Sequence, residues 1–301
     1  MKRILVGLLV VSMLLLGTIG SYAQDITVAV AFCTLNIPFF VEMENGIREA
    51  AEEANIRLIV TNAEDKAAIQ LSQVEDLIVQ RPDALLLIPV DSDVLVSAVE
   101  AAHQANVPVL TIDRTVNSDK VITYVGVNDV VGGGIAGNYV IERLNGRGNV
   151  IMLEGVMGSS AQRDRALGFE QAIAEYPEIK LLTKQTANFN RVEGMNVTEN
   201  LLQAYPEVDA IFAQNDEMAL GALRAIEAAG KKDAIILVGY DADAEAKDAV
   251  RNGEMDATIE GSPYKLGLKG IEATLDYLNG ETLPEQILLP LELVTQESLM
   301  D

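Results

Sequence analysis

From about residue 25 onward, short apolar runs rich in β-branched residues alternate with amphipathic stretches of helical spacing. That alternation limits the fold more than any other feature of the chain. Strands are expected at 26–32, 57–61, 84–89, 109–112, 123–127, 150–153, 180–185, 210–213, 235–239 and 257–259. Between them, stretches such as 41–54 and 71–80 place apolar residues three and four positions apart. Runs like Ala84-Leu85-Leu86-Leu87-Ile88 are apolar without interruption, as in strands covered on both faces. The fold class is α/β, a parallel sheet layered by helices. With 301 residues the chain has room for two such domains, and no Pro/Gly/Ser-rich linker parts them.

The pattern echoes itself. One block runs from Asp83 through a strand, a helix and a second strand to Asp113, and a second runs in the same way from Asp209 to Asp241. Any two βαβ units share some of this, yet the placement of the aspartates has a consequence. Ligands of open α/β sheets bind beyond the carboxyl ends of the strands. Two facing domains would set Asp113 and Asp241 on opposite walls of one cleft.

Several function classes drop out on composition. The 45 acidic residues outnumber 22 basic ones, for a net charge of −23. An excess of that size repels phosphate backbones, so no nucleic-acid partner is expected. Cys33 is the only cysteine and His103 the only histidine, and His103 lies in the helical stretch 97–105. An intrachain disulfide, a cysteine metal site, a Ser-His-Asp or Cys-His nucleophile and His-ligated zinc chemistry all lack parts. Gly132-Gly133-Gly134-Ile135-Ala136-Gly137 matches a dinucleotide fingerprint in spacing. Here Asn128-Asp129-Val130-Val131 separate it from the preceding strand, and Asn128 or Asp129 would cap the helix that follows. The glycines then fall inside a helix, where they allow close packing, and no cofactor is expected. At the N-terminus, basic Lys2-Arg3, an apolar run over 4–19 and small-x-small Ser21-Tyr22-Ala23 have the layout of a signal peptide cleaved after Ala23.

The polar residues at strand ends and helix starts fall into one chemical set. Asp113-Arg114 closes a strand, Arg165 lies in a helix opening after Gly158-Ser159-Ser160, and Asn215 and Asp241 follow strands. Guanidinium donors with carboxylate and amide acceptors suit vicinal hydroxyls. Phe39 and Phe40 stand at the first strand-to-helix turn, where aromatic faces serve equally as core or as a wall for the C–H face of a sugar.

Four stretches together resemble the periplasmic ribose-binding protein family: Thr34-Leu35-Asn36-Ile37-Pro38-Phe39-Phe40, Thr111-Ile112-Asp113-Arg114, Ser160-Ala161-Gln162-Arg163-Asp164-Arg165 and Ala213-Gln214-Asn215-Asp216-Glu217-Met218-Ala219-Leu220-Gly221-Ala222-Leu223. The resemblance covers about residues 25–295. It implies the type I periplasmic binding protein fold, two Rossmann-like lobes joined by a three-strand hinge. The signal peptide would be 1–23, the N-terminal lobe 24–127 plus 262–290, and the C-terminal lobe 128–261 plus 291–301. It implies a periplasmic, monomeric solute-binding protein that is not an enzyme and delivers a small neutral sugar or polyol to an ABC transporter permease. Docking to a chemoreceptor is a compatible addition. The family's sugar contacts fall on Phe39, Phe40, Asp113, Arg114, Arg165, Phe189, Asn215 and Asp241. Three amides of the family pattern are replaced by Ile37, Ile88 and Gly261. Each hydroxyl left without its partner would lose about 1–3 kcal/mol, so ribose is expected to bind less tightly than another small sugar. Two other readings are a two-domain α/β enzyme using Asp113 or Asp241 as a base, and a lactose-repressor-like sensor without its DNA-binding domain.

Overall fold

The structure, a computed structural model, describes residues 26–300, and the proposed signal peptide lies outside the described residues. Among the described residues no helix is long and apolar enough to cross a membrane. Two six-stranded sheets form two α/β lobes. The first sheet contains β1 (Thr27–Phe32), β2 (Arg57–Asn62), β3 (Ala84–Leu87), β4 (Val109–Ile112), β5 (Val121–Gly126) and β11 (Gln286–Leu288), in the order β11-β5-β4-β3-β1-β2. The second contains β6 (Gly148–Glu154), β7 (Ile179–Thr186), β8 (Ala210–Ala213), β9 (Ile236–Val238), β10 (Ala257–Glu260) and β12 (Glu292–Thr295), in the order β12-β10-β9-β8-β6-β7. The two orders are the same doubly wound plan.

Alternation along each strand builds the layers. In the first lobe Val28, Val30, Phe32, Leu86 and Leu110 face α1 (Pro38–Glu53) and α9 (Pro263–Leu278), packing on Met43, Ile47, Leu266 and Ile271. Ala29, Ala31, Leu85 and Leu87 face the other way, toward Val74 and Leu77 of α2 (Ala67–Val79) and Val99 of α3 (Val96–Gln104). The second lobe repeats the scheme. Val150, Met152 and Phe212 meet α4 (Asp129–Arg143) and α5 (Ser160–Ala174), while Ile151, Leu153 and Ile211 meet α6 (Arg191–Ala204), α7 (Asp216–Ala228) and α8 (Ala244–Arg251). Each fully buried aliphatic or aromatic side chain contributes about 1.5–3 kcal/mol.

All ten expected strands are present, with ends displaced by a residue or two. β11 and β12 were not expected as strands, and β12 pairs antiparallel with β10 while every other pairing is parallel. The reason is geometric. The carboxyl ends of the two sheets face each other, so a chain leaving β11 at that end enters the second sheet from its carboxyl end and runs against its neighbours.

The glycine-rich run lies inside α4, which begins at its Asn128 cap, where the side chain accepts from Val131 N at 3.1 Å. A Cβ on Gly133 would overlap the carbonyl of Arg165, and one on Gly168 would overlap that of Val130. These glycines let α4 and α5 approach backbone to backbone.

Candidate functional site

Asp113 and Asp241 end β4 and the β9 segment in matching ways. Asp113 N donates to Val125 O at 2.9 Å and Asp241 N to Ile259 O at 2.8 Å. Their backbones have φ of 64° and 113°, and Phe189 has 54°. Three non-glycine residues in left-handed geometry around one point are strained positions of the kind found at ligand sites. The same internal repeat appears at the opposite strand ends. Asp83 Oδ2 accepts from Thr27 N and Asp209 Oδ2 from Asn149 N, both at 2.7 Å.

Between the lobes lies a small pocket lined by Ile37, Phe39, Phe40, Asp113, Arg114, Arg165, Phe189, Asn215 and Asp241. All eight expected contact residues are on this wall. Of the three departures from the family pattern only Ile37 lines it. Ile88 packs into the first lobe's core, and Gly261 lies behind Phe39, 4.0 Å from Cε2 to an idealised Cβ. A larger groove beside it shares only Asp241 with this lining, and it gathers no comparable set of buried donors and acceptors.

The second lobe's polar wall is held by its own neighbours. Arg165 donates from Nε to Asp129 Oδ1 at 2.8 Å and from Nη1 to the Gln214 carbonyl at 2.7 Å, with a longer contact of 3.4 Å to Asp241 Oδ1. Tyr240 stacks against the guanidinium at 3.7 Å and donates its hydroxyl to Asp129 Oδ1 at 3.0 Å. Burial alone would lower the Arg165 pKa, but Asp129, Tyr240 and Asp241 outweigh it and hold the group firmly protonated. Asn215 caps α7 by accepting from Met218 N at 2.9 Å. Its Nδ2 reaches the Phe189 carbonyl at 3.4 Å. Gly155 lies under the Phe189 ring, where any Cβ would overlap it.

The first lobe's wall is different. Arg114 sits 5.2 Å from the ring centres of both Phe40 and Phe189, and its Nε is 3.7 Å from Asp113 Oδ2, beyond hydrogen-bond length. Asp113 Oδ1 and Arg114 Nε and Nη1 are buried with no hydrogen-bond partner among the described residues. Burial pushes the Asp113 pKa up to about 6, with Arg114 and Arg165 opposing. Burial likewise raises Asp241, against the pull of Arg165. Unpaired buried polar atoms cost about 1–3 kcal/mol each, so this wall is shaped for a ligand that both donates and accepts. Each lobe brings one carboxylate and one guanidinium to the pocket, a balance that suits a neutral polyhydroxy compound.

Sequence reasoning missed Asp129, Gln214 and Tyr240. They touch Arg165 and do not line the pocket; Gln214 falls inside one of the stretches that carry the resemblance, but nothing local marks any of the three as a partner of Arg165. His103 is exposed in the last turn of α3, far from this chemistry in kind as well as in exposure.

Residues 28–282 match the family described as periplasmic binding protein domain. The chain is 41% identical over 278 residues to a ribose import binding protein of Escherichia coli K12, covering 92% of this chain and 93% of that one. Among solved structures, an ABC transporter solute-binding protein of Bacillus halodurans C-125 with bound myo-inositol superposes with a TM-score of 0.87 at 32% identity, over 93% of this chain and 98% of its own. One from Actinobacillus succinogenes 130z with bound D-allose gives 0.85 at 33%, over 91% and 99%.

Proposed function

The chain belongs to the periplasmic binding protein family as a sugar- or polyol-binding component of an ABC importer, not an enzyme, and from that premise we propose how it captures its solute. A small neutral polyol binds between the lobes, with its ring between Phe39 and Phe40 on one side and Phe189 on the other. Its hydroxyls are shared among Asp113, Arg114, Arg165, Asn215 and Asp241. The observation that carries this reading is the pocket in which Asp113 Oδ1 and Arg114 Nε and Nη1 lack partners while Arg165 is already fixed by its own lobe.

The mechanism is hinge closure. The moving units are residues 24–127 with 262–290 and residues 128–261 with 291–301. The pairing of β11 with β5 and of β12 with β10 supports the crossing near residue 290. The open form takes the solute on one lobe, and contacts from the other stabilise the closed form, which docks on the membrane permease. The protein works as an exported monomer beginning at Gln24, and N-terminal sequencing of the native protein checks the export.

A thermal-shift panel of D-ribose, D-allose, myo-inositol, xylitol and a deoxypentose tests the solute class. A polyol of pentose or hexose size should give a saturable shift with one site per chain. Ile37 places an apolar group where the family pattern has an amide, so ribose should not give the largest shift. If no neutral polyol shifts the transition, the reading fails. If ribose ranks first, only the inference from Ile37, Ile88 and Gly261 falls.

A further inference from the structure

The two lobes touch directly as well as through the cavity. Ser92 N, in the loop between β3 and α3, donates to Gly158 O in the loop between β6 and α5 at 2.9 Å. Thr115 N, just beyond β4, donates to Ser160 Oγ at the start of α5 at 2.9 Å. None of these residues lines the polyol cavity. We infer that Ser92–Gly158 and Thr115–Ser160 form a latch that sets how long the closed form persists, whichever sugar it holds.

Each half of the latch is rigid within its own lobe. Ser92 Oγ donates to Thr115 O at 2.8 Å and Ser92 O accepts from Asn117 N at 3.0 Å, so the two first-lobe loops move as one. In the second lobe Ser159 Oγ caps α5 by accepting from Gln162 N at 3.2 Å and donates to Val156 O at 2.9 Å. Only the cross-lobe bonds remain to be made on closure. Gly158 adopts φ of 93°, and a Cβ on it would overlap the Asp91 carboxylate across the cleft. The close approach depends on a residue without a side chain there.

The latch is wired to the sugar groups by chain connectivity. Thr115 follows Asp113-Arg114 directly, and Ser160 opens the helix that carries Arg165. A solute drawn against Arg114 and Arg165 together therefore brings Thr115 and Ser160 into bonding range. Ser92 and Ser160 are buried in the closed form, so the bonds are shielded from competing water. Because the latch bonds do not involve the solute, they should lengthen residence by the same factor for every solute.

This inference rests on the closure reading above, and its test separates the two. Stopped-flow binding of D-ribose and of D-allose to the mature chain gives kon and koff for each. Ser160→Ala should raise koff about 2- to 10-fold, by the same factor for both sugars, with kon unchanged. Ser160→Thr keeps the hydroxyl and should restore slow dissociation. An unchanged koff in Ser160→Ala, a change confined to one sugar, or no rescue by threonine overturns the latch while leaving closure standing. Wild-type protein that binds no polyol of the thermal-shift panel, or that does not compact in solution scattering at saturating polyol, overturns closure and the latch together.

Discussion

Asp113 and Asp241 occupy equivalent places in two copies of one fold, each beyond a central strand, each donating its amide to the neighbouring strand, each at positive φ. Their surroundings differ. Around Asp241, the second lobe has tied Arg165 to Asp129, to the Gln214 carbonyl and to the face of Tyr240 before any solute arrives. Around Asp113, the first lobe leaves a carboxylate oxygen and two guanidinium nitrogens unpaired. One wall is preorganised by its own contacts, and the other is completed by what it binds. Preorganisation lowers the ordering cost of binding, while unpaired groups give the ligand something to satisfy. The two walls should therefore respond differently to mutation.

Removing Arg165 should have the largest effect. Arg165→Ala leaves Asp129 and Asp241 buried without their cation, a loss of about 3–5 kcal/mol in folding stability, and lowers affinity by about 100-fold or more. Denaturant unfolding and calorimetric titration of the same preparation measure both. Asp129→Asn, at a residue outside the pocket lining that holds Arg165 and accepts from Tyr240, should weaken both quantities to a smaller degree.

Arg114→Ala comes next and breaks the parallel. Its guanidinium has ring contacts and a long approach to Asp113, but no hydrogen bonds from its buried Nε and Nη1. Affinity should fall about 10-fold to 100-fold while the unfolding free energy of the unliganded protein changes by less than about 1 kcal/mol. Equal stability losses in Arg114→Ala and Arg165→Ala would show that the two walls are built alike after all.

How much of this was legible in the sequence follows from how local each signal is. Strands β1 to β10 announce themselves through continuous or alternating apolar runs. β11 and β12 are three and four residues long, with all but Val294 exposed or half-buried, and they exist because edge strands of the sheets accept them. Asp113, Arg114, Arg165, Asn215 and Asp241 could be read as a set because strand ends and helix starts are where α/β sheets present ligands. Phe189 entered only through family resemblance. Its place depends on a left-handed turn and on Gly155 beneath its ring, contacts that no local pattern shows. Asp129 and Tyr240 were illegible for the same reason, since the bond between them spans 111 residues of sequence.

The smallest expected effect is a pH dependence whose two readouts run in opposite directions. In the folded chain burial raises Asp113 from the ordinary carboxylate value of 3.8 to about 6. A carboxylate raised on folding takes up protons more readily in the folded state. Its stabilising contribution is complete below 3.8 and is lost as pH rises through about 6. Asp241 is raised as well and acts in the same sense. The unliganded protein should therefore become more stable as pH falls from 7 to 5, by about 1 kcal/mol for Asp113 alone. Solute affinity should move the other way, because a protonated carboxyl gives up acceptor capacity for the hydroxyls that face it. Asp113→Asn removes the titration without removing the volume. It should be more stable than wild type at pH 7, should reduce the slope of the stability profile between pH 5 and 7, and should weaken binding at both ends of that range. Thermal unfolding and titration calorimetry across this window decide the matter. If affinity and stability rise together on acidification, Asp113 does not serve as the acceptor and the unpaired first-lobe wall has another explanation.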